Sequence, residues 1–167
     1  MKRLKVYGDT NTLFGNASDP AELSALKQLT GDARVNLVTS NIVGYEAANT
    51  PDETKRDVLV ADHKGREKIA MDEKLRGFQS YGDRSGWICY PLISDVQDEE
   101  LHAEIMKQGI KLIDAKHITQ AVCNECDVLL TTDSKIIKKR ERLEQRFQKP
   151  KIRLPSELVK QLGEDTT

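Results

Sequence analysis

Hydrophobic positions change their period along the chain, and the changes mark out its elements. Leu4 to Tyr7 and Val35-Asn36-Leu37-Val38 are short apolar runs of strand length. Between them Leu23, Leu26 and Leu29 recur at helical spacing behind Asp19-Pro20-Ala21-Glu22. Asp19 suits the N-cap, Pro20 the first helical position and Glu22 a capping box, while Gly31 ends the helix. Ser40 is placed to cap a second helix running to about Asn49. From Pro51 to Phe78 the chain is highly charged but keeps Val58, Leu59, Ile69, Leu75 and Phe78 at helical intervals, so two helices interrupted at Gly65 are predicted.

Residues 77 to 95, with three glycines, a proline and the only tryptophan, predict a loop with a short extended piece at Trp87 to Leu92. Helical spacing returns from Asp98 to Gln108 and again from Asp114 to Cys126, where Ile118, Ala121 and Val122 share a side. Asp127 to Thr131 has Val-Leu-Leu at its centre and predicts a buried strand. Ser134 to Gln148 predicts one basic helix with Ile136, Ile137, Leu143 and Phe147 inward, followed by a strand at Lys151 to Leu154 and a last helix in PSELVKQLG, residues 155 to 163. Strands alternating with helices imply an α/β fold with a mainly parallel sheet covered on both faces. In such sheets ligands bind beyond the carboxyl ends of the strands. One domain spanning residues 1 to 167 is expected, with an enlarged helical and loop region at about residues 51 to 97.

Composition narrows the class. Charged residues make up 32% and hydrophobic ones 38%, and no apolar run has the length of a membrane span. MKRLKVYGDT at the N-terminus has no apolar leader, so a cytoplasmic location is expected. Cys89, Cys123 and Cys126 are an odd set, which argues for free thiols over a disulfide framework. The net charge of −1 hides a division: Ser134 to Arg153 holds nine basic residues against two glutamates, a net of +7, so the rest of the chain carries −8. Taken by itself this division reads first as a surface helix solvated by its charges, and second as an acidic body whose one basic segment docks a polyanion beside a carboxylate-rich centre.

Four acids occupy places where such a centre would form. Asp9 follows the first strand, and Asp133 follows the strand Val128 to Leu130. Glu46 shares its helix face with Ile42 and Val43, and Asp114 lies one turn before Ile118. Taken singly, Asp114 and Asp133 read as helix caps. Taken together, carboxylates crowded at one strand edge repel one another unless cations neutralise them, and their hard oxygens suit Mg²⁺ or Mn²⁺. A metal held there would orient a water and lower its pKa beside a phosphate.

VYGDTNTL, SNIVGYEA and DAKHITQAVCNECDVLLTTD, in that order, resemble the PIN-domain nucleases, especially toxin ribonucleases of the VapC type. The likeness includes the strand-terminal Asp9-x-Asn11, Glu46, the helix bearing Asp114, His117 and Ala121, and Asp127 opening the strand to Thr131-Thr132-Asp133. It spans nearly the whole chain, and PSEL after a short strand is similar to the family's ending. The resemblance implies a three-layer α/β/α sandwich and metal-dependent endonucleolytic cleavage of RNA, leaving a 5′-phosphate and a 3′-hydroxyl. It makes Asp9, Glu46, Asp114 and Asp133 the metal-binding and catalytic carboxylates, with Asn11 and Thr131 as supporting polar residues. It also implies a dimer and an antitoxin partner. Gly8 stands where the family more often has a bulky apolar residue, and the stretch from Glu46 to Asp114 is longer than usual.

Other signals point elsewhere or nowhere. Lys135, Lys138, Lys139, Arg142 and Arg146 follow Asp133 and are expected to meet the nucleic-acid backbone, where contacts give affinity without sequence choice. Cys123-Asn-Glu-Cys126 has no second pair, which argues against zinc. His117 reads as a helix-packing histidine, and Tyr81, Trp87 and Tyr90 as anchors of the glycine-rich loop. Two alternatives to the nuclease are a PIN-like binding or scaffolding module and a phosphatase of the haloacid-dehalogenase type. The second needs an acid where Asn11 stands.

Overall fold

Alternate side chains of the three central strands belong to different apolar clusters, which places the sheet between two layers of helices. In β1 (Leu4–Gly8) Val6 joins one cluster and Tyr7 the other, and in β4 (Val128–Leu130) Leu129 faces away from its two neighbours. The structure, a computed structural model, describes residues 3–69 and 98–164. With β2 (Val35–Thr39), β3 (Glu67–Lys68) and β5 (Lys151–Arg153), these strands form one sheet in the order β3-β2-β1-β4-β5, every pair parallel. The first cluster packs α1 (Pro20–Gly31) and α8 (Pro155–Glu164) on the sheet through Leu26, Leu29 and Leu158. The opposite cluster joins Val43, Leu59, Ile105, Ile118, Ile136 and Leu143 to Tyr7, Val38 and Leu129. Those residues come from α2 (Asn41–Ala48), α3 (Glu53–Gly65), α4 (Glu99–Lys107), α5 (Leu112–Cys123), α6 (Ser134–Ile137) and α7 (Arg140–Phe147). The fold is a three-layer α/β/α sandwich.

Chain order explains where a site can form. β1, β2 and β3 step outward in one direction, and the chain then returns to lay β4 on the other side of β1. Crossovers diverge at that reversal and leave a crevice at the carboxyl ends of β1 and β4.

Several expectations change. The predicted helix after Gly65 begins instead as β3, because Arg66 is extended and the chain turns back along β2, with Ile69 N–H donating to the Thr39 carbonyl at 2.8 Å. Its later positions, Leu75 and Phe78, lie outside the described residues, as do the loop of residues 77 to 95 and Trp87 to Leu92. The single basic helix is two: Lys139 is non-helical (φ −108°, ψ 1°), and its ammonium donates to the Gly109 carbonyl. Glu22 forms no capping box. Its carboxylate accepts from Ser156 N–H (3.0 Å) and hydroxyl (2.6 Å), tying α1 to α8, while Asp19 caps α1 through Ala21 N–H at 2.8 Å. No helix among the described residues is long and apolar enough to cross a membrane.

Candidate acidic site at the sheet edge

Asp9 is the first residue beyond β1 and is only 2% exposed. Its N–H donates to the Leu130 carbonyl at 3.3 Å, so β1 and β4 set its position together. The chain then makes one tight turn, Thr10–Thr12, whose Thr12 hydroxyl (2.7 Å) and N–H (3.1 Å) both donate to the Asp9 carbonyl. Asp9 stands at the N-cap of this turn, yet its carboxylate makes no capping bond, and Oδ1 is buried without any hydrogen-bond partner. Burial raises its pKa to about 6, with the Glu46 charge adding to the rise; His117, the Thr131 hydroxyl and the Asn11 backbone N–H act the other way. A buried acceptor left unmade costs about 1–3 kcal/mol. The Asn11 side chain, expected to support Asp9, is exposed.

Glu46 reaches the same edge from α2. Its Oε2 accepts from the Thr10 hydroxyl and from His117 Nε2 at 2.7 Å. Burial opposes ionisation of Glu46, but the hydrogen bond and charge of His117, with the Thr10 hydroxyl, outweigh it and hold the pKa below the ordinary value. His117, 3% exposed, continues a buried chain: Nδ1 lies 2.8 Å from the Tyr7 hydroxyl, which lies 2.7 Å from Ser40 Oγ. Burial, foremost, pushes the Tyr7 phenol well above its usual range. Ser40 occupies the N-cap of α2 as expected, but its hydroxyl serves Tyr7 and caps nothing.

Asp114 lies in the first turn of α5, and its pKa is raised by burial first, then by the charge of Asp133, with Glu46 adding to the effect. Asp133 caps α6 through Lys135 N–H at 2.7 Å, and its own N–H donates to the Thr131 hydroxyl at 2.9 Å. Thr131, fully buried, thus stands between Asp9 and Asp133. The four acids feel one another in sequence, Asp9 with Glu46, Glu46 with Asp114, and Asp114 with Asp133. Among the described residues no group of three or more His, Cys, Asp or Glu side chains is drawn together tightly enough to hold a metal. The unpartnered Asp9 Oδ1 and the hard oxygens of its neighbours nonetheless suit a divalent cation of the Mg²⁺ or Mn²⁺ kind.

The basic segment divides by partner. Arg146 pairs with Glu104 (2.5 Å), Arg140 with Glu157 (2.8 Å), Arg153 with Glu144 (2.6 Å) and Lys149 with Asp127 (2.6 Å), and Lys139 is bound to Gly109. Lys135, Lys138 and Arg142 are exposed. Of the five residues expected to meet nucleic acid, Arg146 and Lys139 therefore already have partners within the chain, although Arg146 is itself exposed.

The sequence reading gives Tyr7 and Arg66 no role and His117 only a packing one. Tyr7 and Asp9 alternate onto one face of β1, and His117 lies one turn after Asp114; these were the available signals for a polar chain on the core side. Nothing in the local pattern announced Arg66, whose guanidinium forks onto Asp62 (2.8 and 2.9 Å), donates to the Thr12 carbonyl (2.8 Å) and lies 5.6 Å over the Phe14 ring. Cys123 and Cys126 are free thiols, and burial pushes Cys126 up to about 11; Cys89, Tyr81, Trp87 and Tyr90 lie outside the described residues.

Fold and site together define an α/β/α sandwich with an acidic edge at its strand-order reversal. The chain matches no known family model, and no curated protein is significantly similar to it.

Proposed function

We propose that this protein is a divalent-metal-dependent endoribonuclease similar to PIN-domain toxins, acting with Mg²⁺ or Mn²⁺ as the toxin of a toxin–antitoxin pair. The observation that carries this reading is Asp9: a buried carboxylate at the β1/β4 reversal, unused as a cap, with one oxygen unpartnered. Asp9, Glu46, Asp114 and Asp133 are the residues that would hold the ion. Bound there, it would supply Lewis acidity and a water of lowered pKa. Asp9 and Glu46 approach from β1 and α2, Asp114 and Asp133 from α5 and the end of β4. Lys135 and Lys138 stand on the rim just beyond Asp133 and hold the phosphate backbone by charge alone. Thr131 keeps Asp9 and Asp133 in register, a positioning task.

A second reading, a binding module of the same fold without catalysis, draws on Asp133, whose carboxylate is already engaged as a cap. Incubation of the protein with mixed RNA and with p-nitrophenyl phosphate, each with Mn²⁺ or with chelator, separates the readings. Metal-dependent RNA fragments that vanish in Asp9→Asn support the nuclease. Silence on both substrates supports the binding module, and turnover of the ester alone supports a phosphatase.

A further inference from the structure

Glu46 is held through one oxygen only. Both the Thr10 hydroxyl and His117 Nε2 address Oε2, and neither bond uses Oε1. An ionised carboxylate only accepts, so Nε2 carries the hydrogen; in a neutral imidazole Nδ1 is then an acceptor. Tyr7 is placed to donate to it at 2.8 Å, and the phenol oxygen in turn accepts from Ser40 Oγ at 2.7 Å. Each donor in this order points one step nearer to Glu46. The same serine anchors α2 from behind, its carbonyl lying 2.9 Å from His63 Nε2, while the His63 ring packs against Gly44. The helix that carries Glu46 is thereby clamped at its start and again at the carboxylate.

We propose that Ser40, Tyr7 and His117 form a positioning relay that fixes the Glu46 rotamer and reserves Oε1 for a divalent cation; the inference rests on the metal-dependent reading above. His117 is then no mere packing histidine. Its ring, centred 5.9 Å from that of Tyr7, is oriented from one side so that it can orient a carboxylate on the other. Partners that orient a metal ligand typically change affinity ten- to a hundred-fold when lost. A purely structural histidine would change stability on substitution and leave cation affinity alone.

Two measurements test this. In metal-free protein labelled with ¹⁵N at histidine, the ring-nitrogen shifts of His117 are expected to show a proton on Nε2, the nitrogen that faces Glu46; a bare Nε2 overturns the relay. Calorimetric titration with Mn²⁺ is then run on wild type, Tyr7→Phe, His117→Gln and His117→Leu, with folding checked by circular dichroism. His117→Leu is expected to weaken Mn²⁺ about ten-fold, Tyr7→Phe to weaken it by less while lowering the melting temperature, because the buried Ser40 and His117 lose their partner, and His117→Gln, which keeps an N–H donor, to recover most of the loss. Wild-type affinity in folded Tyr7→Phe and His117→Leu overturns the relay alone. A wild type that takes up no Mn²⁺ removes the metal-dependent reading and this inference with it.

Discussion

Gly8 and Arg66 are in close approach: a Cβ added at Gly8 would lie 3.1 Å from Arg66 Nη1 and would collide with the Thr12 hydroxyl. A side chain at this position has no room between the Thr12 hydroxyl and the buried guanidinium. Arg66 brings α3 to the end of β1, bound to Asp62 at 2.8 Å and to the Thr12 carbonyl, and so closes the turn that carries Asp9.

Gly8→Ala is therefore expected to destabilise by about 1–3 kcal/mol, as overpacking does. Because the displaced group is the hydroxyl that holds the Asp9 carbonyl, RNA cleavage should fall more than the loss of folded protein explains. Urea denaturation beside initial cleavage rates at matched folded fraction checks this; activity that merely tracks stability would sever the link between Gly8 and the Asp9 turn.

Asp9 makes the metal-free protein sensitive to pH. Its folded pKa of about 6 lies above the ordinary aspartate value, so between about pH 4 and pH 6 the folded state holds a proton that the unfolded chain has released. Stability therefore falls as pH rises through that window, and the full cost, on the order of 3 kcal/mol, persists above it. Asp9→Asn removes the charge, so in chelator it should be more stable than wild type at pH 7 to 8 and equal to it near pH 4. Denaturation curves across this range decide the matter, and parallel curves for the two proteins would refute it.

Salt dependence of RNA binding should separate the basic residues. Lys135→Ala and Lys138→Ala, on exposed side chains, are each expected to weaken binding to single strands and to flatten the slope against salt by about 0.7. Arg146→Ala should flatten the slope less, because its guanidinium is already paired with Glu104. Filter binding at several salt concentrations provides the check, and equal slopes for all three variants would argue against the division.

Local pattern made much of the fold legible, because its causes are local. Asp19-Pro20 starts α1 and Val128-Leu129-Leu130 forms a buried strand for reasons contained in a few neighbouring residues. The places where prediction slipped are those where a distant group takes over a local one. Glu22 leaves its capping box for Ser156, Ser40 leaves its cap for Tyr7, and Lys139 breaks a helix on its way to Gly109.

Periodicity and turn chemistry act within a few residues, and from them follow most of the strands and helices, the two buried apolar faces and the acids that come after β1 and β4. Long-range contacts lay β4 against β1, make a strand of Glu67–Lys68 beside β2, bring His117 between Tyr7 and Glu46, and put Arg66 beside Gly8. Those contacts join residues up to 122 positions apart, as Lys5 and Asp127 do. Their energy comes from satisfying polar groups that the same folding event buries.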